Sequence, residues 1–257
     1  MTDLNVTLDG DVEMPLMGFG TWQIRGRQAY EAVRDALDVG YRHIDTATLY
    51  GNEDEVGRAL RDSGVPRDEV FVTTKLRPND AGRERAVIRA SLDALGTDHV
   101  DLWLIHWPPR GSVSTWQEFI AVRDDGRARA IGVSNYDAAD IDELTEATGV
   151  TPAVNQIKWS PDLFDVQVAD EMRTRGVVLE GYSPFRASRM DHPVLADIAT
   201  AHGVTPAQII LRWHLDHGFV VIPKSVRRDR IAANFDVFGF SLDGDELARI
   251  DALGTRT

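Results

Sequence analysis

Eight short apolar runs, each followed by a stretch whose apolar residues recur at helical spacing, leave this chain few architectures to adopt. The runs cover residues 16–20, 41–44, 70–74, 100–105, 130–133, 153–157, 177–180 and 219–222. Helical spacing marks residues 28–39, 53–62, 83–95, 113–124, 138–147, 164–175 and 206–217 between them. Strands without polar alternation need cover on both faces, and strand–helix alternation lays the strands parallel. Eight such units, uninterrupted by a linker or low-complexity segment, predict an α/β fold closed as a (β/α)8 TIM barrel. A single domain over residues 1–257 is expected. Ahead of the series, residues 6–8 and 12–14 flank Asp9-Gly10 as a β-hairpin, expected to close the bottom of the barrel.

Composition narrows the function. A net charge of −13 repels nucleic-acid backbones and anionic membrane surfaces, so neither partner is expected. There is no cysteine, which removes disulfide and thiolate chemistry. Residues 1–10 are polar and acidic, without the basic-then-apolar order of a secretory leader. A cytoplasmic, monomeric enzyme acting on a small molecule is the expectation. Only Lys75, Lys158 and Lys224 are lysines, every other basic side chain being arginine. Lysine offers a compact charge with a tunable pKa, which arginine does not.

In such barrels the site gathers at the C-terminal ends of the strands. The residues ending the apolar runs are Thr21 and Trp22, Asp45, Lys75, His106, Ser134 and Asn135, Gln156, Tyr182 and Ser183, then Lys224 and Ser225. One polar residue at such a place starts a loop. This many on one rim line a pocket.

Several stretches carry a resemblance. They are Gly40-Tyr-Arg-His-Ile-Asp45-Thr-Ala-Thr-Leu-Tyr50-Gly-Asn-Glu53, Thr73-Thr-Lys75-Leu, Asp101-Leu-Trp-Leu-Ile-His106-Trp-Pro108, Ile131-Gly-Val-Ser-Asn135, Val154-Asn-Gln-Ile157 and Ile222-Pro-Lys-Ser-Val226. In this order and spacing the chain resembles the aldo-keto reductase family from about Leu16 to Leu253, bacterial 2,5-diketo-D-gluconate reductases being nearest in appearance. The resemblance implies a catalytic tetrad of Asp45, Tyr50, Lys75 and His106. A free phenol, with a pKa of ~10, is a weak acid for protonating an alkoxide at neutral pH. Lys75 is expected to lower that pKa, Asp45 to hold Lys75, and His106 to orient the substrate carbonyl. Each residue alone has a plainer reading. Asp45 and Lys75 could be a structural ion pair, Tyr50 a surface aromatic, and His106 a core histidine. Their coincidence on neighbouring strand ends favours catalysis.

A Rossmann glycine fingerprint is missing, since Gly18-Phe-Gly20-Thr-Trp-Gln23 ends in glutamine. The resemblance implies instead an extended NADPH lying across the barrel mouth. Ser134, Asn135 and Gln156 would hold its carboxamide, and Tyr182 would stack on the nicotinamide. Thr21, Trp22, Asp45, Ser183 and Val226 complete the implied coenzyme contacts. Lys224, Ser225, Arg230 and Asn234 match the segment that grips the 2′-phosphate. Independently, barrels often place phosphates beyond strands seven and eight.

The chain departs from the family pattern at Ala233, Phe185-Arg186 and Arg77, and it stops at Thr257 without the usual C-terminal tail. Trp22, Leu49, Arg77, His106 and Trp107 are the expected substrate-pocket residues. Arg77 either adds a charge that favours a carboxylate-bearing substrate or pairs with Asp80 or Glu84. The short loop over residues 109–114 and the missing tail predict an open pocket for small aldehydes, dicarbonyls or keto-sugars. His214 and His217 stand three apart without a third ligand nearby, so no metal is expected. NADPH-dependent carbonyl reduction is the leading reading. The alternative is an NADPH-binding regulatory or structural relative with little turnover.

Overall fold

In the computed structural model, residues 5–254 are described. β1 (Asn5–Leu8) and β2 (Val12–Pro15) pair antiparallel, with Leu8 opposite Val12. The turn between them uses two left-handed residues, Gly10 at φ 77° and Asp11 at φ 58°. Leu8, Val12 and Met14 are buried in the core. From Pro15 the chain enters the N-terminal end of the first barrel strand, which puts the hairpin at the bottom.

The barrel then runs β3 (Phe19–Gly20), α1 (Gly26–Val39), β4 (His43–Asp45), α2 (Glu53–Ser63), β5 (Phe71–Leu76) and α3 (Glu84–Leu95). It continues with β6 (Val100–Ile105), α4 (Ser112–Asp124), β7 (Ala128–Ser134), α5 (Ala138–Thr148), β8 (Val154–Lys158) and α6 (Val166–Thr174). The last part is β9 (Val178–Tyr182), α7 (Pro193–His202), α8 (Pro206–Asp216), β10 (Val220–Ile222), α9 (Arg228–Phe235) and α10 (Gly244–Asp251). Strands β3 to β10 pair in parallel in chain order. First meets last through a Met17–Val221 bridge, with the Gly18 N–H donating to the Val221 carbonyl at 2.9 Å. Gly20 permits this approach, because a Cβ there would stand 2.9 Å from the Ile222 carbonyl oxygen. The eight apolar runs are the eight barrel strands, and the (β/α)8 expectation holds.

The helices cover the outer face of the strands. Trp103 on β6 stacks on Phe119 of α4 at 3.7 Å, and both are fully buried. Burying a large apolar side chain stabilises by ~1.5–3 kcal/mol, so this pair is a substantial support for its part of the wall. Gly57 lets α2 approach the end of α3, since a Cβ there would lie 2.4 Å from the Leu95 carbonyl oxygen.

Three helices lie outside the segments read from the sequence. α7 begins with Pro193 and α10 opens with a capping box between Asp243 and Glu246, both start signals legible in the sequence. α9 buries only Ile231 and Asn234, too little for an apolar stripe. It carries Arg230 and Asn234, two of the residues expected to meet the coenzyme, beyond β10. Its Arg228 pairs with Asp35 and Asp38 on α1 and ties it to the barrel. Among the described residues, no single helix is long and apolar enough to cross a membrane.

Candidate active site

Asp45 is the last residue of β4, Lys75 lies near the end of β5, and His106 directly follows β6. Tyr50 ends a 3-10 turn (Thr48–Tyr50) between β4 and α2. Thr48 donates its hydroxyl to the Lys75 carbonyl at 2.9 Å, which pins the turn to β5. Buried Asn52 accepts from the Thr46 hydroxyl at 2.7 Å and donates to the carbonyls of Thr21 and Ile24 at 3.1 and 2.9 Å. The Tyr50 turn is thereby fixed to the loop after β3.

Lys75 is fully buried, and its ammonium donates to Asp45 Oδ1 and Oδ2 at 2.7 and 2.6 Å and to the Thr46 carbonyl at 2.9 Å. The Tyr50 hydroxyl stands 3.5 Å from the same nitrogen. The His106 ring meets the Tyr50 ring edge-on at 5.7 Å, and Trp107 stacks against His106 at 4.1 Å. All four tetrad residues are therefore brought together.

Their charge states correct one expectation. Burial pushes the Tyr50 phenol up to about 12; Lys75 pulls the other way without offsetting it. Lys75 does favour the phenolate, as its position demands, but losing water costs the phenolate more. Burial alone would depress the Lys75 ammonium. Attraction to Asp45 and then to Tyr50, a hydrogen bond to Asp45, and Glu180 outweigh it and hold the ammonium above its ordinary value. Burial, aided by repulsion from Lys75, drives His106 down to about 2, so its ring is neutral at any working pH. Its Nδ1 is buried without a hydrogen-bond partner.

A cavity of about 780 Å³ opens over this group, within the usual range for a small-molecule site. Tyr50, Asp45 and His106 line it, together with Trp22, Leu49 and Trp107. Ser134, Asn135, Gln156, Tyr182, Ser183 and Lys224 line it as well. These polar groups form one chain. Gln156 Nε2 donates to Asp45 Oδ2 at 2.9 Å, the Ser134 hydroxyl to the Gln156 carbonyl at 2.8 Å, Asn135 Nδ2 to the Ser134 hydroxyl at 2.9 Å, and the Tyr182 hydroxyl to Asn135 Oδ1 at 2.9 Å. Asn135 and Ser183 take left-handed backbone conformations, at φ 62° and 55°. Held backbone of this kind gathers at ligand sites. Amides, a hydroxyl and an aromatic face beside the tetrad, with lysines and arginines farther round the rim, fit a nicotinamide dinucleotide in their chemistry.

Some expected residues stand elsewhere. Arg77 is not part of the cavity wall: its Nε donates to Asp80 Oδ2 at 2.7 Å, the local alternative open from the sequence. Thr21 is fully buried and donates its hydroxyl to the Asp45 carbonyl at 2.9 Å, so it supports the floor rather than facing the cavity. Ser225, Arg230 and Asn234 lie beyond the cavity on the β10–α9 side, and Val226 borders a separate shallow depression with Tyr30 and Arg34. His214 bonds the Ile210 carbonyl and His217 bonds Asp251, so each histidine has its own local partner. The end of the chain, including Thr257, lies outside the described residues.

Other wall and floor residues escaped the sequence reading. Lys158 ends β8 on the cavity wall, and Arg186 stacks over Trp22 at 5.2 Å from the ring centre. Lys158 carried a signal, being one of only three lysines. Glu180 lies wholly buried inside the barrel, where burial pushes its carboxyl up to about 8. Asp45 adds to the rise, while Gln156 and Lys75 oppose it.

Comparison with known proteins matches the sequence to the aldo/keto reductase family over residues 16–255. The chain is 43% identical over 251 residues to a methylglyoxal reductase, DkgA, of Escherichia coli (strain K12), covering 95% of this chain and 91% of that protein. It resembles the crystal structure of an aldo/keto reductase from Brucella melitensis at TM-score 0.95 and 41% identity, covering 98% of this chain and 99% of the other. A Gox0644 variant solved in complex with NADPH aligns at TM-score 0.93 and 35% identity, over 98% and 94% of the two chains.

Proposed function

The chain belongs to the aldo-keto reductase family, and from that premise we propose that it reduces small aldehydes, dicarbonyls or keto-sugars to alcohols, with Tyr50 giving the proton. That it is an NADP-dependent oxidoreductase acting on small carbonyl compounds follows from the family itself. One observation carries the finer reading. The Lys75 ammonium, clamped by both Asp45 oxygens, stands 3.5 Å from a Tyr50 hydroxyl that faces the cavity beside a neutral His106.

NADPH, when bound, supplies the hydride that the carbonyl carbon receives. Ser134, Asn135 and Gln156 would hold its carboxamide, Tyr182 would lie against the ring, and Lys224, Ser225, Arg230 and Asn234 would take the 2′-phosphate. Thr21, Trp22, Ser183 and Val226 would support the same length of coenzyme. Trp22, Leu49 and Trp107 would exclude water from the reacting carbon. His106, being neutral, can donate one hydrogen bond to the carbonyl oxygen without carrying charge into the site. Tyr50 keeps its proton at working pH and gives it up only as negative charge grows on that oxygen. Lys75 then stabilises the phenolate left behind, and Asp45 keeps the ammonium in place.

The similarity to a methylglyoxal reductase makes dicarbonyls the first substrates to try. NADPH consumption should be followed on methylglyoxal, other dicarbonyls, simple aldehydes and keto-sugars. Turnover of several is expected. No turnover across the panel, with NADPH still bound, would overturn the reading.

A further inference from the structure

A second carboxyl sits inside the barrel beside the tetrad. Glu180 is the middle residue of β9, level with Gln156 on β8 and Val220 on β10, and its side chain has no exposure. Neither of its carboxyl oxygens makes a hydrogen bond of good geometry; Gln156, whose Nε2 donates to Asp45, is close enough to favour its charged form without offsetting burial. From β4 come His43, whose Nε2 is 3.8 Å from Glu180 Oε1, and Asp45; from β5 comes Lys75. Tyr50 feels its charge from the 3-10 turn. β8 presents the uncharged Gln156, and β10 presents Val220. Burial keeps His43 neutral by holding it near 4, and its Nε2 already meets the Thr73 hydroxyl at 3.1 Å. Among the described residues Lys75 is therefore the one cation within reach, and its bonds go to Asp45 and the Thr46 carbonyl.

An ionised Glu180 would be a second buried anion facing a single ammonium. Uncompensated buried charge is costly, and the group keeps its proton instead. We propose that Glu180 is a positioning residue that stays protonated through the neutral range, so that Lys75 answers one negative charge, and that its ionisation sets the alkaline limit of Tyr50 as proton donor. This rests on the reading of Tyr50 as the donor. Proton loss from Glu180 would place a negative charge near the phenol, raise it further and weaken it as an acid. It would also delay formation of the phenolate needed for alcohol oxidation.

Three measurements test this. Infrared difference spectra of the wild-type protein should show a protonated-carboxyl C=O band that titrates away near pH 8, far above the range of exposed carboxyls. Thermal unfolding should compare wild type with Glu180→Gln. A folded-state pKa raised above the unfolded one contributes stability at low pH and loses it as pH rises to the folded value. The Tm of E180Q should therefore gain on wild type from the ordinary glutamate range up to about pH 8, then run parallel. Finally, E180Q should hold its reduction rate at alkaline pH where wild type falls, by up to about tenfold for each unit added to Tyr50, and begin alcohol oxidation at lower pH. Absence of the titrating band, a Tm gap independent of pH, or superimposable rate profiles would overturn the proposal. The infrared measurement decides the protonation state even if E180Q fails to fold. Retained turnover in Tyr50→Phe would instead remove the donor reading while leaving the band intact.

Discussion

The two ends of the proposed coenzyme cleft are prepared in opposite ways. At the tetrad end, Lys75 is fully buried and its ammonium is held by two carboxylate oxygens and a carbonyl before any ligand arrives. At the β10–α9 end, Lys224 and Arg230 are exposed and make no ion pair with the described residues. Their neighbours differ: Arg227 pairs with Asp229, and Arg228 with Asp35 and Asp38. A reaction centre gains from charges fixed by the protein, because charge that develops there then meets groups needing no rearrangement. An anion site gains from charges left without internal partners, since these have no bond to give up on binding. Four predictions follow from this contrast, in order of falling effect.

Tyr50→Phe removes the proposed proton donor without touching the far end. Turnover should fall by about 10²- to 10⁴-fold, the usual contribution of a general acid, while NADPH affinity measured by fluorescence stays near wild type. Lys75→Met should be comparably damaging. Lys75→Arg should not rescue it, since a planar guanidinium cannot occupy the place of one compact nitrogen in a fully buried site. Parallel loss of NADPH binding in Tyr50→Phe would show that the two ends are not separable.

Asp45→Asn tests whether the buried end is held by charge. Breaking a buried ion pair by removing one partner costs about 3–5 kcal/mol, because the other charge stays behind uncompensated. Lys75 and Asp45 side chains are 0% and 2% exposed, so little solvent screening reduces that figure. Denaturant unfolding should reveal the loss, together with a fall in turnover. An unchanged midpoint would mean that Lys75 sheds its proton and the pair is not a structural support.

At the other end, Lys224→Ala or Arg230→Ala should weaken NADPH by roughly tenfold to a hundredfold, from ~1.5–3 kcal/mol per charged hydrogen bond. NADH should lose far less, having no 2′-phosphate. Stability should hardly move, because neither side chain has an ion-pair partner among the described residues to strand. Equal losses for the two coenzymes would show that these residues do not read the phosphate.

The contrast also explains what the sequence disclosed. Strands buried on both faces are largely apolar along their length, so the eight runs, and the polar residues that end them, were legible together. Asp45, Lys75, His106 and Gln156 could be placed on one rim for that reason. The charge state of Tyr50 was not legible, because it depends on how much water the folded site excludes rather than on Lys75 being near. Glu180 carried a signal that went unread, a carboxylic acid inside an otherwise apolar run, Val177-Val-Leu-Glu180-Gly. α9 could not be read from periodicity because it buries only Ile231 and Asn234. Side-chain partners three residues apart, such as Arg77 with Asp80, depend on the turn between them, and sequence spacing alone left that choice open.

Arg77 makes the smallest prediction and the sharpest boundary for the comparison, since it is a cation near the mouth that belongs to neither end. Its guanidinium is held by Asp80, which is itself 5% exposed and also lies 3.8 Å from Arg83. Leaving that carboxylate to meet a substrate would give up one charged contact for another, with no net gain in pairing. Its side chain is 45% exposed, so the pair is screened, and exposed pairs of this kind contribute ~0.2–1 kcal/mol. Arg77→Ala should therefore lower stability slightly and leave substrate choice alone. The measurement is kcat/KM for a neutral ketone and its keto-acid counterpart, in wild type and variant. A constant ratio between the two substrates is expected. A selective loss on the keto-acid would mean that Arg77 leaves Asp80 during turnover and recognises the carboxylate, which would add a charge that moves during turnover to the two kinds contrasted above.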